Sequence, residues 1–264
     1  MMGDHMQKDQ KIKVREQFGA SADEYAKSEV HAKGESLSLL VDLVEPRSDW
    51  RVLDIATGAG HTAMAIAPRV ERVVATDITR EMALKASELS FSRGINNMDV
   101  CMADAESMPF RDSSFDLVTC RIALHHFSDA QKAIHEAARI LKPGAVFGLD
   151  DNIVIEGGPA EEYYNSFEKI RDPSHNRVYT LSELKSILEN EGLDVVSTGH
   201  VAKEMEFQDW ANRQHVNGRD KERLMSMLHD LPASLDPMLR PRFSGDTAYF
   251  SLWEAVIIAK KHHP

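Results

Sequence analysis

Three acids stand at or just beyond the ends of short apolar runs: Asp54 in RVLDI, Asp77 after RVVAT and Asp104 after MDVCM. The first run leads into VLDIATGAGHTAMAIA (Val52 to Ala67), an apolar stretch, a two-glycine loop and an alanine-rich helix start. Nucleotide-like cofactors sit at such a junction. Gly58, Gly60 and Ala63 fit the G-x-G-x-x-A spacing of a dinucleotide loop, and the same loop suits S-adenosylmethionine. A carboxylate four residues before Gly58 would repel a pyrophosphate at the helix N-terminus. A cofactor carrying an amino group and a sulfonium tolerates or welcomes it. Asp77 can accept from the ribose hydroxyls of either cofactor. Asp104, followed by Ala105, can hold an exocyclic amine such as N6 of adenine. Three acids at successive strand ends suit one positively charged adenosine. The plainer reading of Asp77 and Asp104 is that each caps the segment after it.

These residues need a scaffold, and the pattern between Arg51 and Asp151 supplies one. RVLDI, RVVAT, MDVCM, FDLVTC (Phe115 to Cys120) and AVFGLD (Ala145 to Asp150) read as strands buried on both faces. Between them, Met82, Ala86 and Leu89 define one helical face, closed by Gly94. Phe127, Ala130, Ile134, Ala137, Ala138 and Leu141 define another, stopped by Lys142-Pro143-Gly144. Alternation at this interval predicts a parallel α/β sheet. Thr180 and Glu183 form a capping box for a helix through Leu184 and Leu188. The strand Leu193 to Val201 follows, and Tyr249 to Ala259 is a long final strand. About fifty residues of helical pattern separate these two, where a hairpin needs about two to five. We expect one domain over 1–264, with a helical arm at 14–45, a cofactor-binding core at 50–201, a helical insertion at 203–247 and the final strand at 248–260.

Composition narrows the classes. The chain has 264 residues and a net charge of -11, with no basic run, which argues against nucleic acid as a partner. Its two cysteines give no disulfide framework. The start is polar, no signal peptide is evident, and no window approaches the ~18 apolar residues of a membrane span. A cytoplasmic protein is expected.

The motifs together resemble a class I S-adenosylmethionine-dependent methyltransferase of the ubiquinone/menaquinone-biosynthesis-like, type 11 group. They are VLDIATGAG, ATDIT (Ala75 to Thr79), ADAESMPF (Ala103 to Phe110), FDLVTCRIALHHF (Phe115 to Phe127), RILKPGA (Arg139 to Ala145) and RDPSH (Arg171 to His175). The resemblance implies a Rossmann-like, seven-stranded, mostly parallel sheet with a terminal antiparallel strand and helices on both faces. In that order Cys101 and Cys120 lie too far apart to bridge. It also implies S-adenosyl-L-methionine as cofactor and S-adenosyl-L-homocysteine as product. Asp54, Ala56, Gly58 and Gly60 would face the methionine part, with Arg121 and Ile122 beside it. Asp77, Ile78 and Met82 would take ribose and adenine, and Asp104 and Ala105 the adenine edge. Tyr25 and Ser28 match the segment that closes over the cofactor, or else belong to a plain docking helix.

Methyl transfer from a sulfonium is an in-line displacement in which the protein chiefly aligns the reactants. A base is needed only for a protonated nucleophile. Of His125 and His126, His126 is the expected cleft residue and candidate base, the other packing or capping. Asp151, after Asp150 and before Asn152, would orient a substrate group unless merely solvated. His175 would line the substrate side or make local loop contacts. Met225, Met227 and Met238 would form an adaptable apolar cap or the insertion's own core. No Asn/Asp-Pro-Pro-Tyr motif, arsenic-binding cysteine set or Tyr-x-x-x-Lys pair occurs. The expected activity is methylation of carbon or oxygen on a small, partly apolar acceptor, and no metal is expected. A non-catalytic cofactor-binding regulator and a nicotinamide-dependent oxidoreductase remain the alternatives, and homodimerisation is left open.

Overall fold

The structure of the protein, a computed structural model, describes residues 2–27, 34–155, 158–245 and 247–263. The chain opens with helices α1 (Met2–Ala20), α2 (Ala22–Lys27) and α3 (Glu35–Val44). The alternating core runs β1 (Arg51–Ile55), α4 (His61–Ile66), β2 (Arg72–Asp77), α5 (Arg80–Ser92), β3 (Met98–Met102), β4 (Phe115–Arg121), α6 (Ala130–Ile140) and β5 (Leu141–Val154). Then come α7 (Gly158–Arg171), β6 (Tyr179–Thr180), α8 (Leu181–Asn190), β7 (Leu193–Glu206), α9 (Phe207–Asn212), α10 (Gly218–His229), α11 (Asp236–Leu239), β8 (Arg242–Ser244) and β9 (Thr247–Lys261).

The main path of the sheet is β3-β2-β1-β4-β5-β9-β7, with β6 beside β5 and β8 beside β9. The first five strands pair in parallel, whereas β9 is antiparallel to both neighbours. Its apolar run fills the gap between β5 and β7, which explains why Ala255 to Ala259 are buried on both faces. The expected mostly parallel sheet with an antiparallel last strand is therefore present. Cys101 and Cys120 are free and lie on strands separated by two others.

Several boundaries differ from those read in the sequence. Strand β7 continues past Val201 to Glu206 because its partner β9 is equally long, with pairing from Leu193↔Lys261 to Glu206↔Tyr249. The insertion thus begins at α9. Strand β5 starts at Leu141, directly after α6, so Lys142-Pro143-Gly144 lies within β5, in the irregularity between the pairs Phe115↔Leu141 and Leu117↔Val146. Phe127 precedes α6, whose N-cap is Asp129 accepting from Lys132 N. Helix α1 begins at Met2, ahead of the arm read at 14. The Thr180–Glu183 capping box is formed as expected.

Two apolar layers sandwich the sheet. α6 and α8 cover one face, and α3 and α4 cover the other. A third cluster joins α7 to the insertion around Trp210, Phe207, Phe250 and Phe167, the last stacked on Trp210 at 5.0 Å. Met238 is buried in this cluster, with Met225 and Met227 packed against it, so the insertion's methionines form its core. Among the described residues no helix is long and apolar enough to cross a membrane.

The loop after β1 is set by two glycines with different duties. Gly58 (φ 55°) needs only the left-handed backbone, since nothing lies within 4 Å of where a Cβ would sit. Gly60 (φ 87°) needs space as well, because a Cβ would meet Ala86 Cβ and Met98 Cε, each at 3.1 Å. Gly58→Ala should cost about 1–2 kcal/mol of backbone strain, and Gly60→Ala about 1–3 kcal/mol beyond that from crowding. Urea denaturation checks this. Equal losses would contradict the assignment.

Candidate active site

The connections reverse between β1 and β4, and a cleft opens at the carboxyl ends of these strands, where open α/β sheets place ligands. Its volume, mouth included, is about 1510 Å³. Asp77 lines it. Asp77 Oδ2 accepts from Gly58 N at 2.9 Å, and Oδ1 accepts from Thr79 N at 2.8 Å. One carboxylate thus braces the glycine loop and caps the segment opening α5. Burial pushes its pKa up, with those amide bonds working against the shift.

Asp54 stands behind the loop, outside the cleft wall. It is 1% exposed. Thr57 Oγ1 donates to its Oδ2 at 2.5 Å and Thr119 Oγ1 to its Oδ1 at 2.7 Å. Burial pushes its pKa to about 6, despite both hydroxyls. Asp54 therefore fixes the foot of the loop from below, where the sequence reading had it facing the methionine part. Gly60 is likewise off the wall, packed on α5.

The other expected cofactor residues, Tyr25, Ala56, Gly58, Ile78, Met82, Asp104, Ala105, Arg121 and Ile122, all border the cleft. Ala56 (φ 50°) and Ile122 (φ 52°) hold left-handed backbone that side chains disfavour. Ile122 N donates to Asp150 O at 2.6 Å, which ties that strained turn to β5. Asp104 Oδ1 accepts from Glu106 N at 2.9 Å, and its Oδ2 pairs with Lys11 Nζ at 2.7 Å. Lys11 also reaches Glu106 at 2.7 Å. Lys11, Val14 and Phe18 of α1 were not foreseen. Their contacts span far in sequence, and the helix carries only weak apolar periodicity. Ser28 lies outside the described residues.

Three histidines meet on the far side of the cleft. His125 and His126 rings are 4.1 Å apart, and His175 lies 5.7 Å from His125. Both adjacent histidines face the cleft, so the expected division of one inward and one outward is not seen. His125 Nδ1 bonds Asp151 Oδ1 at 2.5 Å, leaving Nε2 without a hydrogen-bond partner among the described residues. Burial works against charge on His125, but Asp151 outweighs it and raises the pKa. The same pairing holds Asp151 below the usual carboxylate range although burial opposes this.

His126 donates from Nδ1 to Ser174 O at 3.1 Å, and burial with the neighbouring His125 charge lowers it to about 4. His175 donates from Nε2 to Asn165 Oδ1 at 2.9 Å, and burial lowers it to about 2. Of the three rings only His125 has its pKa raised, whereas the sequence points to His126 as the candidate base. Asp151 is buried beneath His125, bonded to the ring, and does not line the cleft.

The arm and the insertion close the cleft together. Gln214 Nε2 donates to Tyr25 Oη at 2.8 Å and to Asp172 Oδ2 at 3.0 Å. Gln17 Nε2 donates to Gln214 Oε1 at 2.6 Å, and Gln10 Nε2 reaches His126 O at 3.1 Å. Among the described residues no His/Cys/Asp/Glu cluster suits a metal.

The dyad gives a titration prediction. His125 loses its proton as pH rises through its raised pKa. Asp151→Asn removes the charge that raises it, so deprotonation should move to lower pH, while His175 stays neutral throughout the mildly acidic to alkaline range. Imidazole proton resonances followed by NMR check this. An unmoved His125 transition would contradict the pairing.

Comparison with known proteins agrees with this geometry. A family model described as a methyltransferase domain matches residues 53–149. The uncharacterized methyltransferase YcgJ of Bacillus subtilis (strain 168) is 39% identical over 196 residues, which is 74% of this chain and 78% of that one. Its crystal structure aligns with a TM-score of 0.83 at 32% identity, covering 87% of this chain and 99% of that chain. A Bacillus halodurans protein of solved structure aligns with a TM-score of 0.82 at 32% identity, over 86% of this chain and 98% of that chain. The ubiquinone/menaquinone biosynthesis C-methyltransferase UbiE of Rickettsia typhi is 29% identical over 140 residues, 50% of this chain and 56% of that one. With the sheet order, the braced glycine loop and these likenesses in agreement, the chain belongs to the S-adenosylmethionine-dependent methyltransferase family.

Proposed function

We propose that this enzyme uses S-adenosyl-L-methionine to methylate oxygen or carbon of a small, partly apolar acceptor, releasing S-adenosyl-L-homocysteine. The observation that carries the reading is one cleft bounded by the Asp77-braced glycine loop at one end and the His125–Asp151 pair at the other. The residues fit the cofactor. Open space at Gly58 lets a ligand approach the backbone, and Asp77 presents a carboxylate to the cleft for ribose hydroxyls. Asp104 and Ala105 would hold the adenine edge, with Ile78 and Met82 against the rings. Ala56, Arg121 and Ile122 would border the methionine end.

When bound, the cofactor supplies an activated methyl group as a sulfonium. The chain's own residues contribute alignment and proton handling. His125 Nε2 takes a proton from the acceptor as its nucleophilic atom becomes electron-rich, and Asp151 stabilises the resulting imidazolium. The lowered basicity of His126 and His175 keeps them as neutral wall. α1 and the insertion exclude water above them. A hydroxyl acceptor, or a carbon acidified by an adjacent hydroxyl, is the nucleophile such a base serves. The cleft continues past the loop to Trp210 and Leu252. That acceptor room favours catalysis over a binding-only regulator, and the absence of a Tyr-x-x-x-Lys pair weighs against an oxidoreductase. The net charge of -11 weighs against a nucleic-acid acceptor.

Calorimetry with S-adenosylhomocysteine and NADH tests the reading. We expect micromolar binding of the first and none of the second. Asp77→Ala should weaken S-adenosylhomocysteine about 10–150-fold, the worth of hydrogen bonds to a charged group. Binding of NADH alone would overturn the proposal. Retained binding makes a labelled-methyl acceptor screen the next step.

A further inference from the structure

The acceptor end of the cleft is rich in donors that lack acceptors. Arg213, from the segment after α9, lines it. Arg213 Nη2 touches Met205 Sδ at 3.4 Å, yet Nε is buried without a hydrogen-bond partner. No carboxylate lies within ion-pair distance of Arg213 among the described residues. Arg171, at the end of α7, lines the same wall close enough to repel it. Its Nε donates to Trp210 O at 3.2 Å, and the guanidinium lies 4.8 Å over the Trp210 ring. Glu168 lies 3.8 Å from Arg171, beyond hydrogen-bond reach, and Asp172 attracts it through space. Trp210, also on the wall and 1% exposed, has an indole N–H with no partner.

Glu168 and Asp172 are the acids on this side. Asp172 Oδ1 is taken by Ser174, and Oδ2 accepts from Gln214. Glu168 is buried with one oxygen unpartnered, and burial draws it toward its protonated, donor form. Neither acid compensates Arg213. Lys203 on β7 is already paired with Glu254. Asp209 attracts Arg213 only through space, without an ion pair. A half-buried guanidinium with no carboxylate in ion-pair reach is costly unless something else supplies one. A planar fork beside a second guanidinium and a free indole N–H matches an oxyanion group.

We propose that Arg213, with Arg171 and the Trp210 N–H, forms an anion subsite, and that the methyl acceptor carries a carboxylate or phosphate seated there. This deepens the methyltransferase reading and rests on it. Arg171 is electrostatically coupled to His175, whose ring is 5.7 Å from His125. An anion at the arginines would thus anchor an acceptor whose body extends to the base. The acceptor class is a small hydroxy acid or phosphate ester with an apolar frame.

The test uses the full chain saturated with S-adenosylhomocysteine, probed by calorimetry and thermal melting. Probes are sodium benzoate, its uncharged counterpart benzamide, and inorganic phosphate. We expect at least one anion to bind about tenfold or more tighter than benzamide, as loss of a desolvated charge pair implies. Benzoate preference indicates a carboxylate and phosphate preference a phosphate. Arg213→Met should abolish the preference and, without probe, melt no lower than wild type, since an uncompensated charge is removed. If it melts well below wild type, Arg213→Gln decides the matter, since it keeps a donor but not the charge and should lose the preference; a preference kept there would overturn the subsite. Equal binding of anions and benzamide, or a preference that survives Arg213→Met, would overturn the subsite while leaving cofactor binding intact. Failure to bind S-adenosylhomocysteine at all would instead refute the methyltransferase reading beneath it.

Discussion

The amide hydrogen that Gly58 donates to the buried carboxylate of Asp77 is the interaction on which the cleft depends. It links the end of β2 to the loop after β1, so two parallel strands share one binding edge. A buried carboxylate is expensive without donors, and here backbone amides supply them while the carboxylate still borders the cleft. Asp54 completes the arrangement from below, its two oxygens held by Thr57 on the loop and Thr119 on β4. The loop is therefore fastened to β2 on one side and β4 on the other, across the point where strand order reverses. Left-handed backbone at Ala56 is strain that this fastening sustains, that at Ile122 is held by its bond to Asp150 O, and both residues sit on the cleft wall.

The second determinant is polar order among buried groups at the opposite end. Three neighbouring histidines are differentiated by what each donates to: a carboxylate for His125, a main-chain carbonyl for His126 and an amide oxygen for His175. Only His125 hydrogen-bonds a carboxylate; Asp172, 4.0 Å from His126, is outweighed there by burial and the His125 charge. Similar residues acquire a base and two neutral walls because burial penalises charge where nothing compensates it. The arm and the insertion then meet at Gln214, which binds Tyr25 on one side and Asp172 on the other.

Much of the scaffold was legible from local rules. Asp77, the glycine spacing and the β-branched runs are short-range signals, and the capping box at Thr180 named its own helix start. Strand ends were misjudged where pairing extends them. Nothing within LDVVSTGHV says that β7 reaches Glu206, because that depends on β9, more than forty residues later. The partners of Asp54 were hidden for a similar reason. Its partner Thr119 lies on another strand, and only the β1–β4 register, Asp54↔Thr119, brings them together. The choice of His125 over His126 turned on the buried position of Asp151, which adjacent residues in sequence do not reveal. Arg213 and Lys11 fall in no motif, and Arg171 only opens RDPSH, since their meaning lies in which charges face them across the cleft.

On this reading Asp77, which braces the glycine loop, and Asp104 hold the adenosine of one cofactor whose sulfur is directed to the His125 side. A crystal structure of the protein with S-adenosylhomocysteine tests it most directly. Both ribose hydroxyls should lie on Asp77, the adenine edge at Asp104 and Ala105, and the homocysteine sulfur should face the chamber bounded by His125. A ribose bound away from Asp77, or a sulfur turned from that chamber, would contradict it.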